Sequence, residues 1–576
     1  MINANADIQA LPRNFLPNNF SVTSWEALQP YFQQLLDRPL PSKEDLEQWL
    51  KDSSEIEAVL SEDACWRQIR MTCDTENKSL EEAFVFFVTE IQPKIQPYAD
   101  KLNRKLIACP FTAELDQKKF FTYLRSVKKS IDLFREVNIP LLSELSVMGQ
   151  QFGVISGKMT VEVEGKEYTL QQAAKFLESH DRKLREQVYR KINERRLLDK
   201  DALNNLYTQL VQKRQQVAVN AGFSNYRDYK FAELGRFDYS KEDCFQFHDS
   251  VKKYILPLAD KIYAAKKKKL GVDTLRPWDL EAEAEGTSPL RPFKTSDELL
   301  QKSVECFEKI RPFFADCLRK MNEMHRFDLE SRKGKAPGGY NCPLAETGAP
   351  FIFMNAAGQM SDVTTMVHEG GHAVHSFLAH RLELSSFNEY PMEIAEVASM
   401  AMELFSMDYW DVYFDSKEEL KRAKEHQLER VITIFPWIAT VDKFQHWIYE
   451  HPNHTLEERS ENWIRILDEF SSKEIDFSGL ETYRNNSWQR QLHLFEVPFY
   501  YIEYGIAQLG AIGLWKQFKQ NKDAALDNYM KALSLGGTAT LPKLYEAAGL
   551  RFNFSGDNIN QLTQFVDTEM KKLVEW

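Results

Sequence analysis

The chain reads as an all-α protein, mainly helical with a minor β component. Three observations predict this. Capping boxes, in which Ser or Thr is followed three residues later by Glu or Gln, recur at Thr23/Glu26, Ser79/Glu82, Thr169/Gln172, Thr295/Glu298, Ser416/Glu419 and Thr455/Glu458. Each opens a segment with apolar residues three and four apart, as at Trp25, Leu28, Phe32 and Leu35. Strand signals are few. Met159, Val161 and Val163 alternate with polar residues before a Glu164-Gly165-Lys166 turn, which predicts a small hairpin, and Phe351–Met354 is a short apolar run bounded by Gly348 and Asn355.

At 576 residues the chain can bury a large core divided among two or three lobes. With 43% hydrophobic and 27% charged residues it has the composition of a globular protein. A net charge of −12, spread along the chain, argues against a nucleic-acid or anionic-membrane surface. The run Lys266–Lys269 precedes Leu-Gly and reads as a helix C-terminus. No leader is visible in MINANADIQALPRNF, and the longest apolar run, VITIFPWIAT, is short and contains Pro436. Seven cysteines without paired spacing fit a reducing compartment, the cytoplasm, and no Cys-ligated metal. The segments 277–292 and 334–350 are long for loops, a length common at functional sites.

One helix concentrates the chemistry. Ser361–Arg381, SDVTTMVHEGGHAVHSFLAHR, contains His368-Glu369-Gly370-Gly371-His372. Residues four apart on a helix lie about 40° round and ~6 Å up, so both imidazoles can share one metal ion while Glu369 reaches the attacking water. Ser361 or Asp362 is the expected N-cap. Two adjacent glycines cost a helix about 1 kcal/mol each, which implies that another segment passes close by. A catalytic zinc needs a third protein ligand. Downstream, PMEIAEVASMAMELFSMDYW opens with Pro391 and carries Glu393, Glu396 and Glu403 within a sector of about 80°. Small residues Ala395, Ala398, Ser399 and Ala401 surround them. Glu396, among apolar neighbours, is the expected ligand, and Glu403 a partner that orients a ligand from behind. A second histidine-based extension is excluded: it would need glycine at position 375 and histidine at 378, where the chain has His375 and Leu378. His375 is two turns from His368, so it is expected to be structural or cleft-lining.

The stretch GGYNCPLAETGAPFIFMNAAGQMSDVTTMVHEGGHAVHSF, followed by EIAEVASMAMEL, resembles the active-site region of the thimet oligopeptidase/oligoendopeptidase F family of zinc metallopeptidases, nearer the oligoendopeptidase F branch. The likeness continues through AGFSNYRDYKFAELGRFDYS and HLFEVPFYYIEYGIAQLGAIG. It implies two helical lobes around a deep substrate channel, one Zn2+ per chain, and cleavage of short unstructured peptides. It also implies that a late histidine and tyrosines, here His493, Tyr501 and Tyr504 with Tyr500 as neighbour, bind the substrate carbonyl and the developing oxyanion. Leu494–Pro498 departs from the glycine-rich loop of the thimet branch, which leaves the tyrosine register open.

The expected function is therefore a zinc-dependent oligoendopeptidase: His368, His372 and Glu396 bind the metal and Glu369 is the general base. A zinc carboxypeptidase on a similar scaffold and a non-catalytic zinc- and peptide-binding protein are the alternatives. Residues 1–200 are expected to form part of one lobe and 201–576 the catalytic region. The Phe351–Met354 strand, if its edge is open, would pair with an extended peptide. Short peptides are the expected partners, with no nucleic acid and no membrane; the oligomeric state is left open.

Overall fold

The chain is described here by a computed structural model covering residues 6, 8 and 10–575, so part of the N-terminal run in which no leader is visible lies outside the described residues. Helices dominate and the strands are confined to two small sheets. The expected hairpin is present: strand β1 (Thr160–Val163) pairs antiparallel with β2 (Lys166–Thr169) through Glu164 and Gly165, both at positive φ. The second sheet holds β3 (Phe327–Glu330), β4 (Tyr340–Cys342) and β5 (Phe351–Ala356) in the order β3-β5-β4. This corrects one expectation. The Phe351–Met354 run lies at the centre of the sheet, parallel to β3 and antiparallel to β4, so it has no open edge. A continuous apolar run marks a strand buried on both faces. The edge strands are β3 and β4, the latter inside the segment 334–350 that reads as a loop from sequence.

Four helices frame the site: α1 (Met360–Ala379), α2 (Met392–Ser406), α3 (Lys417–Glu450) and α4 (Tyr501–Gln520). The N-cap of α1 is Gln359, not Ser361 or Asp362. Asp362 serves as the third helical residue, and its Oδ2 accepts from the backbone N–H of Ala357, Gly358 and Gln359, each at 2.8 Å. Three donors on one carboxylate at a positive helix end tie β5 to the start of α1. The boxes at Thr169 and Thr455 form in full, whereas Ser24 replaces Thr23 and Asn77 replaces Ser79 as the capping residue. The capping side chain lies one residue later in the first case and two residues earlier in the second, where Ser79 is already inside the helix. The run Lys267–Lys269 ends a helix capped by Gly271 in the left-handed conformation. α3 continues through Pro436, which forfeits one ladder bond without ending the helix.

Two main cores result. One gathers residues from Leu16 to Val127 and admits Leu384 and Phe387 from the turn after α1. The larger contains α1–α4, with α2 packed extensively on both α1 and α4. Gly371 explains how tightly α1 and α2 meet: a Cβ there would lie 2.6 Å from both the Ala398 carbonyl oxygen and the Ser399 Cα. The glycine, together with Ala398 and Ser399, lets two backbones approach as no larger residue would. Among the described residues no helix is long and apolar enough to cross a membrane.

Candidate metal centre and active site

The close α1–α2 contact brings Glu396 to the two histidines. Its Oε2 lies 3.3 Å from His368 Nε2 and 3.6 Å from His372 Nε2, and the three donor atoms all fall within 4.8 Å of one another. Ligands bound at about 2.0–2.2 Å around a tetrahedral ion stand roughly 3.4 Å apart, so this set fits a metal of that geometry. The fit extends outward. His368 Nδ1 is 2.7 Å from Glu403 Oε1, which leaves Nε2 facing the centre. Gln427 Nε2 donates to Glu403 Oε2 at 2.7 Å, and Thr364 donates to Gln427 at 3.2 Å. A carboxylate behind a ligating imidazole fixes its tautomer and orientation. Glu396 is held too: Ser399 Oγ donates to Oε2 at 3.1 Å and Tyr500 O–H to Oε1 at 2.5 Å. Glu393 points elsewhere and accepts from Tyr239 O–H at 2.6 Å.

Burial sets the charges. It opposes protonation of His368, but Glu396 and Glu403 outweigh it and hold that pKa well above the ordinary value. Burial likewise opposes ionisation of Glu396, yet His372 and His368 hold its pKa down at about 2. For Glu369 burial outweighs the charge of His368. Desolvation pushes its pKa up to about 7, and its Oε2 is buried without a hydrogen bond. A carboxyl group poised near neutrality beside the imidazoles of His368 and His372 suits proton transfer in both directions. Asn341 on β4 donates to the Glu369 carbonyl oxygen at 3.3 Å, and a Cβ at Gly339 would come within 3.8 Å of Glu369 Oε1. The edge strand β4 therefore runs beside Glu369.

The late histidine and tyrosines close the other side. His493 lies on a short helix, Leu492–Glu496, and α4 starts at Tyr501. Between them Phe499 has φ +66°, a strained conformation for a bulky residue. It is clamped from both sides: its N–H donates to Gln445 Oε1 at 2.6 Å and its carbonyl accepts from Arg236. The turn directs Tyr500 to Glu396 and Tyr504 to His493, whose Nε2 is 3.1 Å from the Tyr504 hydroxyl. Tyr501 contributes its ring, packed edge-on against His493 at 5.0 Å.

The network fixes the proton on His493. The Trp437 indole N–H can only donate, and it donates to Gln491 Oε1 at 2.9 Å, so the Gln491 amide nitrogen is the atom 2.7 Å from His493 Nδ1. Nδ1 accepts, and the ring proton is assigned to Nε2. Burial pushes the His493 pKa down to about 4, so the ring is neutral at pH 7. Its Nε2–H donates to the Tyr504 oxygen, freeing the Tyr504 proton for another acceptor. Tyr504 stays protonated because burial and the charge of Glu396 hold its pKa far above the ordinary value.

His375, the remaining histidine of α1, stacks on Tyr390 at 3.6 Å and is fully buried, in keeping with a structural role. Sequence reasoning missed Gln427, Gln491, Trp437 and the edge of β4. Only the position of Gln491, two residues before His493, offered any signal.

Comparison with known proteins identifies the family. The model of peptidase family M3 matches residues 175–563, and that of the peptidase M3 N-terminal domain matches 15–134. An oligoendopeptidase F homolog of Borreliella burgdorferi is 24% identical over 411 residues, 69% of this chain and 65% of that protein. Oligopeptidase PepF of Bacillus subtilis is 22% identical over 387 residues, 65% of this chain and 55% of that one. The chain thus spans less than two thirds of the length of either curated relative. Among solved structures, PZ peptidase A with an inhibitor superposes with a TM-score of 0.92 at 27% identity, covering 97% of this chain and 99% of its own. The oligoendopeptidase F of Enterococcus faecium shares the fold, with a TM-score of 0.64 at 15% identity. On the extent of the family match, which takes in the whole site, the chain belongs to peptidase family M3.

Proposed function

We propose that the protein is a zinc-dependent oligoendopeptidase that hydrolyses internal bonds of short, unstructured peptides. The observation that carries the reading is the donor set His368, His372 and Glu396, with the unpaired carboxyl group of Glu369 beside it. Bound zinc would supply Lewis acidity to the scissile carbonyl and to the attacking water. Glu369 takes the water's proton during attack and delivers it to the leaving amine. Tyr504, positioned by His493, donates its proton as a hydrogen bond to the developing oxyanion, a contact worth about 3 kcal/mol where such donors have been removed elsewhere. An extended peptide pairs with the open edge of β4, which gives backbone affinity with loose sequence preference. The free thiols fit the reducing cytoplasm expected from the sequence.

The test is Glu369→Gln, checked for bound zinc and assayed on a mixed peptide library by mass spectrometry. The wild type should cut at internal bonds, and the variant should retain zinc while losing activity by orders of magnitude. Near-normal turnover in the zinc-loaded variant would rule out the base. Stepwise release of single C-terminal residues by the wild type would favour the carboxypeptidase alternative.

A further inference from the structure

A second cluster of metal-ligating side chains lies behind the Phe499 turn. The helix Lys241–Ser250 carries Cys244 and His248, and α3 carries Asp442 and His446. Each pair is four residues apart, so each helix presents both of its groups on one face, the spacing that also joins His368 to His372. Where the two faces meet, donor atoms of Cys244, Asp442 and His446 all fall within 4.8 Å of one another, a limit that the active-site donors share. His446 Nε2 is 3.3 Å from Asp442 Oδ2, the same separation as His368 Nε2 from Glu396 Oε2. Ligands bound to a tetrahedral zinc at about 2.0–2.3 Å stand roughly 3.3–3.6 Å apart, so shifts on the order of 1 Å close the set around an ion.

The cluster is sealed, and its polar atoms are unsatisfied. None of the four residues is more than 2% exposed. Among the described residues neither ring nitrogen of His446 has a hydrogen-bond partner, and neither has Asp442 Oδ1. His248 Nε2 lies 2.8 Å from Asp442 Oδ2 and holds that carboxylate from behind, as Glu403 holds His368. Buried polar atoms are nearly always paired, so several orphans gathered at one place call for a ligand. A His248–Asp442 contact alone leaves His446 unpaired and gives the buried Cys244 thiol nothing to do. A dication answers both. The Cys244 thiolate and the Asp442 carboxylate cancel its charge, which removes the main cost of burying it. Thiolate and imidazole together favour zinc over magnesium or calcium.

We propose that Cys244, Asp442 and His446 bind a structural zinc ion, separate from the one at His368, His372 and Glu396, with a water in the fourth place. Binding releases the thiol proton to solvent, and the ion enters as the chain folds, since the ligands are enclosed afterwards. What the ion steadies is the turn beside it. Gln445, between two of the ligands in sequence, accepts from the Phe499 N–H at 2.6 Å, and the His446 ring packs edge-on against the Phe499 ring at 5.4 Å. An ion fixing Asp442 and His446 therefore pins the stretch of α3 that keeps Phe499 at φ +66°, the turn that aims Tyr500 and Tyr504. Paired-cysteine spacing gives no sign of such a site, because only one of its ligands is a thiol.

The test counts metal and asks for sulfur. Wild-type protein from zinc-supplemented cells, purified without chelator, should carry about two zinc ions per chain by native mass spectrometry, and Glu396→Ala, which loses the active-site ion, about one. Glu396→Ala protein refolded with Co2+ under reducing conditions should show a thiolate-to-cobalt charge-transfer band, which the histidines and glutamate of the active site cannot produce. Adding zinc during refolding of the same variant should raise its melting temperature by several degrees. Cys244→Ser in that background, or Asp442→Asn where the first does not fold, should abolish the band and the remaining zinc. A Glu396→Ala protein that holds no zinc, a cobalt form without the sulfur band, or a band that survives Cys244→Ser overturns the proposal and leaves the cluster bridged by buried water. None of these readings depends on peptidase activity, so they stand or fall apart from the oligopeptidase reading.

Discussion

Gly371→Ala tests whether the metal centre is made by helix approach. Alanine is the better helix former by about 1 kcal/mol, so the change would stabilise α1 if the helix stood alone. In place, the added Cβ meets the Ala398 carbonyl oxygen and the Ser399 Cα at 2.6 Å and the Met402 Cβ at 3.0 Å. Ordinary contact begins near 3.4 Å, so α1 and α2 must separate or slide by about 1 Å, because backbone atoms have no rotamer to yield. Overpacking of this kind costs typically 1–3 kcal/mol, enough to cancel the propensity gain. The larger effect falls on the metal. Glu396 is on α2, while His368 and His372 are on α1, and a site tolerates only about 0.2 Å in its ligand distances. We expect zinc affinity to fall by at least about tenfold, measured against a chelator series with metal content read by mass spectrometry, and thermal stability to fall modestly. Gly370→Ala is the comparison, since its Cβ meets only side chains, the Phe307 ring at 2.7 Å, and no backbone of α2. A Gly371→Ala protein with wild-type zinc affinity and an unchanged or raised melting temperature would refute the reasoning.

Three further outcomes follow from the same geometry. Glu396→Ala should lose the metal while Glu393→Ala, whose partner is Tyr239, keeps it at some cost in stability; metal analysis of the two variants reads the contrast. Gln491→Leu should lower kcat more than it raises KM, because the lost acceptor and donor leave the His493 tautomer and the Tyr504 proton undirected; steady-state kinetics with a pH profile would expose a merely structural role as no change in the split or the profile. His493, held neutral with a pKa of about 4 against about 6.5 unfolded, contributes stability that is complete above pH 6.5 and is lost as pH falls toward 4, since the unfolded chain binds the proton first. Discounted for its partial exposure, this amounts to about 1–2 kcal/mol, and melting curves of wild type and His493→Gln across that window should converge at the acid end.

The parts of the site legible in sequence are those where one helix does the work. The 3.6-residue period alone brings His368 and His372 together and puts Glu369 beside them. The adjacent glycines announced a close neighbour, and the small residues around Glu396 told which helix it was. Glu403 behind His368 followed from the same phasing. Where contacts cross between elements with no period to link them, the sequence was silent. The Phe351–Met354 run gave no sign that β3 and β4 would cover both its edges, because β4 is only three residues long and sits among loop-forming residues. Gln427 and Gln491 look like any polar residue on a helix or turn until Thr364 and Trp437 fix them.

The tyrosine register was open for a different reason: it depends on one backbone torsion. A helix running from Phe499 would set Tyr500, Tyr501 and Tyr504 by rotation alone. Instead Phe499 takes φ +66°, a conformation that costs a bulky residue about 1–3 kcal/mol unless its surroundings hold it there. They do so through polar groups far away in sequence, Arg236 and Gln445, and through a ring packed on Phe231, Tyr449 and His446. Arg236 also pairs with the buried Glu503 at 2.9 Å, so one guanidinium fixes both the strained carbonyl and the first turn of α4. The strain is thus the means by which two hydroxyls four residues apart face different targets, Tyr500 the carboxylate of Glu396 and Tyr504 the ring of His493. A substitution at Arg236 would release it and lose both targets together, though Arg236 touches neither tyrosine's hydroxyl.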